Sequence, residues 1–315
     1  MRELKILAVV VFFSVLTYWL VEPYAHSQMH KHVEGNHFVY TGEADIEEAS
    51  KEKKAEKEKF WSEVKTIASL KGNATAGEAG FGMCLGCHNG AGMNMGGVIP
   101  PSLDHSGAIY DKNYLIALIK DPAMASNVDH KYADTMTHPM GSIKTMFTDN
   151  QSIADVVAYL MEKKAGEVTS KEAYAEACGR CHAMRYGKTT QIGDTPKFKH
   201  KKDELAHQIK VIEEQDAVKK YMGKLPPDLS IIIRARGEHF LKTFVENPQS
   251  QLPGTSMPRV GLTEEGYEKV QAYLEEVGDP SKKAREEIGP WVLGFFIIFT
   301  ILAFLWKKSM WKGHH

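Results

Sequence analysis

Cys84-Leu-Gly-Cys87-His88 and Cys178-Gly-Arg-Cys181-His182 are the two stretches on which the reading of this chain turns. They use all four cysteines of its 315 residues. Two thiols three positions apart can add to the two vinyl groups of one porphyrin. The histidine that follows is then held under the iron as its proximal ligand, so C-x-x-C-H reads as attachment of haem c. The alternatives are a thioredoxin-like dithiol, or four cysteines around one zinc. Zinc-ribbon pairs stand roughly 15–20 residues apart, whereas here the second motif begins 94 residues after the first (Cys178 against Cys84). Two covalently bound haem c groups are therefore expected, one through Cys84 and Cys87, the other through Cys178 and Cys181. His88 and His182 are the expected iron ligands, and no disulfide is expected.

Working outward, the same signals recur in the same order. The first copy has CLGCH (84–88), PPSL (100–103), YLIALIKDP (114–122), a methionine near 140 and IADVVAYL (153–160). The second has CGRCH (178–182), PPDL (226–229), FLKTFVENP (240–248), Met257 and YEKVQAYL (267–274). The PPxL run and the helix that follows it are both displaced by 126 positions, against 94 for the haem motifs. The second copy thus carries 32 extra residues between its haem motif and PPDL. Ile153, Val156, Val157 and Leu160 fall at i, i+3, i+4, i+7 after Thr148, a candidate N-cap. Tyr267, Val270, Gln271 and Leu274 do the same after Thr263, with Gly278 and Pro280 as the stop. A short helix, 171–177, leads into the second motif. A haem buried among a few short helices supplies a core that so few residues could not build alone.

Two apolar stretches flank the repeat. Ile6 to Val21 follows Arg2 and Lys5 and is expected to end at Pro23; no clear signal-peptidase site follows, so it reads as an uncleaved anchor. Ile288 to Trp306 has a tryptophan near each end and Lys307, Lys308 and Lys312 beyond. Basic residues outside both spans place both tails in the cytoplasm and the region between them on the periplasmic face of a bacterial-type inner membrane. Glu43 to Lys59 mixes charges of both signs and reads as a solvated helical stalk. With 39 basic and 40 acidic residues, the charge balance gives no hint of nucleic acid as a partner.

The distal ligand decides the redox chemistry, because a thioether favours reduced iron. Met257, in the loop GTSMPRVGLT, is the candidate for the second haem. For the first haem Met136, Met140 and Met146 are available. Met140 stands eight residues before Thr148, as Met257 stands six before Thr263, and is chosen; His138 or His130 would give bis-histidine ligation instead. A proximal histidine normally gives its other N–H to an acceptor, and in small c-type cytochromes a proline carbonyl before a leucine plays that role, as Pro101 and Pro227 would here.

The second copy resembles cytochrome c1, the haem subunit of quinol:cytochrome c reductase (the cytochrome bc1 complex). Tyr174, CGRCHAMRY (178–186), LPPDLSIIIRAR (225–236), the insertion 187–222 and the single C-terminal anchor with its basic tail carry the resemblance. It covers about 165–315. Ordinary members have one haem, so the whole arrangement resembles the diheme c1 subunits of Epsilonproteobacteria. The implied architecture is mainly α, with two tandem class I cytochrome c domains between two transmembrane helices. Its parts are an anchor (1–24), a charged linker or stalk (25–69), the first cytochrome c domain (70–165), a c1-like domain (166–280) and a C-terminal anchor with basic tail (281–315). The resemblance implies a non-catalytic electron-transfer subunit of a respiratory chain, with cytochrome b and Rieske iron–sulfur partners. Electrons would pass from the Rieske protein to the haem at His182, then to that at His88, then to an acceptor cytochrome c or terminal oxidase. The rival readings are the diheme subunit of a cbb3-type oxidase, a diheme peroxidase, and the electron-acceptor subunit of a dehydrogenase.

Overall fold

The structure, a computed structural model, describes residues 2–29, 37–89, 98–132, 134–163 and 167–312. Its longer helices are α1 (Arg2–Leu16), α2 (Lys51–Ser69), α3 (Ala74–Phe81), α4 (Lys112–Lys120), α5 (Asn150–Glu162), α6 (Ser170–Ala177), α7 (Lys201–Met222), α8 (Glu238–Glu246), α9 (Glu264–Gly278) and α10 (Lys282–Met310). A two-stranded antiparallel hairpin, β1 (Thr189–Thr190) with β2 (Gly193–Asp194), lies between α6 and α7.

The repeat is visible as a repeated crossing. The helix leading into each C-x-x-C-H motif packs on the last helix of its own copy, α3 on α5 and α6 on α9. Ile153, Val156, Val157 and Leu160 are all buried on α5, as the 3.6-residue period requires. Helix α3 approaches so closely that a Cβ on Gly77 would stand 2.0 Å from the Asp155 carbonyl oxygen, so only glycine fits there. The start of α5 corrects one expectation. Its N-cap is Asp149, not Thr148, since the Asp149 carboxylate accepts the Ser152 N–H at 2.9 Å. Thr263 caps α9 as expected, accepting from Gly266 N at 3.0 Å.

Two helices are long and apolar enough to cross a membrane, Arg2–Ala25 and Lys282–Met310, and neither is buried by the rest of the chain. Pro23 does not end the first. The helix runs on through a π turn (Thr17–Val21) into Glu22–Met29, with Glu22 N–H bonded to the Thr17 carbonyl. A wider turn beside a proline relieves the missing donor and the ring clash, so the helix need not break. Lys307 pairs with Glu3, which brings the start of α1 beside the end of α10.

The stretch 43–59 is not a free stalk. Lysines and glutamates of its outer face are exposed, but Asp45 and Lys57 are buried. Below them α2 buries Phe60, Trp61, Val64 and Ile67. Lys57 donates to Asn127 Oδ1 at 3.0 Å. Asp45 meets Arg259 through both guanidinium Nη atoms and accepts from Trp61 Nε1 at 3.0 Å. Phe38 stacks on Tyr267 with ring centroids 5.2 Å apart. The linker thus packs against both copies, because its few apolar and ionic anchors have partners far along the chain.

The two copies share one apolar core. Backbone pairing joins them at Tyr110 and Leu262, with Asp111 N to Gly261 O and Thr263 N to Ile109 O, each at 2.9 Å. Gly261 has φ +76°, and a Cβ there would sit 1.9 Å from the Tyr114 ring. His105 Nδ1 and Glu176 Oε1 meet at 2.5 Å across the same seam.

The Asp45–Arg259 pair gives an acid-stability prediction. Burial alone would raise the Asp45 pKa, but the Arg259 guanidinium outweighs it, helped by Lys57 and Trp61, so the carboxyl lies below its ordinary value. A lowered folded value means that the contribution is fully present above the unfolded aspartate pKa of about 3.9. It is lost as pH falls through the folded value. In urea titrations between roughly pH 2 and 5, the wild-type chain should lose stability on acidification more steeply than Asp45→Asn. Parallel pH profiles would contradict this.

Candidate functional site

Each C-x-x-C-H motif forms the same turn. Cys87 N bonds to Cys84 O at 3.2 Å, and His88 N to the same carbonyl at 2.9 Å. In the second copy Cys181 N and His182 N bond to Cys178 O at 3.1 and 2.9 Å. One carbonyl therefore collects the amides of residues i+3 and i+4. That winding puts residues three apart on one side of the turn, which is where the two thiols of each motif fall. All four cysteines are free and partly buried.

The imidazoles are fixed in the same way in both copies. His88 Nδ1 lies 2.8 Å from Pro101 O, and His182 Nδ1 lies 2.8 Å from Pro227 O. A carbonyl only accepts, so Nδ1 carries the proton and Nε2 keeps its lone pair. Burial holds both rings below the ordinary histidine pKa, against the opposing effect of the proline carbonyls. Both side chains are thus neutral at pH 7, with Nε2 ready to ligate a metal.

The thiols argue against the dithiol alternative. Burial pushes Cys84 and Cys181 up and Cys178 up to about 12. A nucleophilic C-x-x-C pair needs a lowered thiol. Among the described residues no three histidine, cysteine, aspartate or glutamate side chains converge on one point.

The second copy contains a feature whose role sequence spacing does not reveal. Asp228 accepts from Arg185 N at 3.0 Å and from Ser230 N at 2.9 Å, while Ser230 Oγ accepts from Tyr186 N at 3.0 Å. The polar residues of PPDLS thereby tie the proline run to the Arg185-Tyr186 backbone just after the haem motif. In addition, Tyr174 is fully buried and donates to the His182 carbonyl at 3.0 Å. In the first copy Ser102 stands where Asp228 does, and it donates to Asp104 at 2.7 Å instead.

The distal candidates differ in their surroundings. Met136 and Met146 are exposed, at 62% and 51%, whereas Met140 and Met257 are half-buried. His138 Nδ1 accepts the Met140 N–H at 3.1 Å, and burial lowers the ring's pKa to about 4. The neutral ring then carries its proton on Nε2 and has no free lone pair there. His130 is exposed. Met257 sits where its loop changes anchor. Before it, Gln249 Nε2 donates to Thr255 O at 2.7 Å; after it, Arg259 N donates to Ser126 O at 2.9 Å and Arg259 O accepts from Tyr114 at 2.9 Å.

The cysteine pair and the oriented neutral imidazole of each copy fit haem c. The comparisons agree for the first copy. Residues 74–164 match the family model for cytochrome c, so this helical chain carries a cytochrome c domain and, with it, the means to bind haem covalently and transfer electrons. Over 190 residues the chain is 24% identical to the ammonia monooxygenase gamma subunit of Nitrosomonas europaea, covering 46% of this chain and 81% of that protein. A solved structure described as Hyperthermophilic respiratory Complex III overlaps with a TM-score of 0.35 at 24% identity, covering 47% of this chain and 77% of that one.

Exchanging Met257 for histidine should lower the midpoint potential of one redox component, because a second imidazole favours oxidised iron relative to a thioether. Met140→His should lower that of a different component. A potentiometric titration of the purified chain reads both; a Met257→His chain with unchanged components would contradict the assignment.

Proposed function

We propose that the chain is a dihaem, c1-type electron-transfer subunit of a membrane quinol:cytochrome c oxidoreductase. It would take electrons from a Rieske iron–sulfur partner and pass them to a cytochrome c or terminal oxidase. The observation that carries the second haem is the geometric identity of the two motifs, each with one carbonyl gathering two amides and a histidine Nδ1 2.8 Å from a proline carbonyl. Haem bound in each copy would supply one-electron redox chemistry. Cys84 and Cys87 would tether one group and Cys178 and Cys181 the other, with His88 and Met140 holding the first iron and His182 and Met257 the second.

The chain's own contribution is to hold and to orient. Pro101 and Pro227 fix the ring plane and the tautomer of each proximal histidine. Use of the His138 lone pair by the Met140 amide favours a methionine over that histidine as the first distal ligand. The shared core favours two cofactors carried as one rigid unit, which suits a subunit whose function is positioning cofactors for partners. The c1-type reading is supported by the Asp228 and Ser230 bonds to the Arg185-Tyr186 backbone, which give the PPDLS run a structural role in the second copy. Two apolar terminal helices suit a membrane subunit with both tails in the cytoplasm and the haem domains in the periplasm.

Gentle detergent extraction with a tag on this chain tests the reading. Cytochrome b and a Rieske protein should co-purify, and quinol should reduce the haem in a Rieske-dependent way. Recovery of copper-haem oxidase subunits in their place would contradict it, as would peroxide turnover by the isolated chain.

A further inference from the structure

The loop that bears Met257 is held on its two sides by different parts of the molecule. On the N-terminal side the anchor is local: Gln249 bonds to Thr255 O and, through Oε1, to Gly254 N at 3.0 Å. On the C-terminal side the hydrogen-bonding anchors from Arg259 to Leu262 come, among the described residues, from outside the second copy. Ser126 accepts from Arg259 N, Tyr114 donates to Arg259 O, Asp111 donates to Gly261 O, and Tyr40 donates to Leu262 O at 3.1 Å. The Arg259 side chain is only 5% exposed and has one hydrogen-bond acceptor among the described residues, the Asp45 carboxylate, which it meets through both Nη atoms. Its Nε finds no partner among those residues. Asp45 is itself braced by Trp61 at 3.0 Å.

A buried guanidinium with its acceptor removed is a large penalty, and the simplest relief is for its segment to move towards water. That segment begins two residues after Met257. We propose that Asp45 is a positioning residue for the thioether of Met257. By holding Arg259 it keeps the distal side of the second haem site closed, so that ligation there depends on the segment preceding the first cytochrome c domain. The proposal rests on the reading that Met257 is the second distal ligand. It makes the linker part of the second redox centre, although 212 positions separate Asp45 from Met257.

The test uses the full membrane-bound chain with both haems loaded. The readouts are the near-infrared thioether–iron band of the oxidised protein and a potentiometric titration. In Asp45→Asn the thioether-ligated fraction of one haem should fall about tenfold or more, and the midpoint of that haem should fall with it. Helix content and haem count should stay unchanged, as should the other haem. Arg259→Lys keeps the charge but loses the fork, and should give an intermediate loss. Asp129→Asn should leave band and midpoint unchanged, since it loosens the partly exposed 3.4 Å contacts with Lys53 and Lys57 of the same segment and leaves the Asp45–Arg259 pair in place. Full thioether ligation in both Asp45→Asn and Arg259→Lys would overturn the proposal. Met257→Ala separates the two levels: loss of the same band upholds the ligand reading, and a band that survives overturns that reading and the proposal with it.

Discussion

The hydrogen bond between a histidine Nδ1 and a proline carbonyl, made once in each copy at 2.8 Å, is the constraint to which the other features of the two sites are subordinate. It decides which ring nitrogen carries the proton, and so which can meet a metal. It also fixes two remote segments relative to each other, the turn that ends in the histidine and the run that begins with two prolines. Burial reinforces it by keeping the ring neutral. The helices that enclose each site, α3 with α5 and α6 with α9, set the turn from which the histidine projects.

The copies differ in what surrounds that shared element. The first uses a glycine to bring α3 against α5, and Ser102 of its proline run donates to Asp104. The second has a fully buried tyrosine bonded to the histidine carbonyl, and an aspartate and a serine bonded to the backbone beyond the motif. Tyr114 of the first copy fills the space that a side chain at Gly261 of the second would need, and one apolar cluster runs through both.

Local signals in the sequence were enough to read the helices of the repeat, both candidate spans and the proline acceptors. Their periods, caps and motifs act over a few residues or recur at a constant offset. The errors came from choices between neighbours and from distant partners. Thr148 and Asp149 are both good caps, and the carboxylate wins the Ser152 amide. Pro23 looks like a stop until the π turn before it is seen. Asp45 and Lys57 look solvated in a run of mixed charges, because the groups that bury them lie 214 and 70 positions away. The meaning of Asp228 was similarly hidden: its partners are the backbone amides of Arg185 and Ser230, which carry no signature in the sequence.

Whether both motifs carry covalent haem is read from the intact mass of the full-length chain, purified from its membrane and denatured. With haem on each motif the mass should exceed that of the polypeptide by two haem groups, falling to one when Cys178 and Cys181 are both replaced by alanine. A mass exceeding the polypeptide by only one haem, unchanged by that replacement, would contradict it.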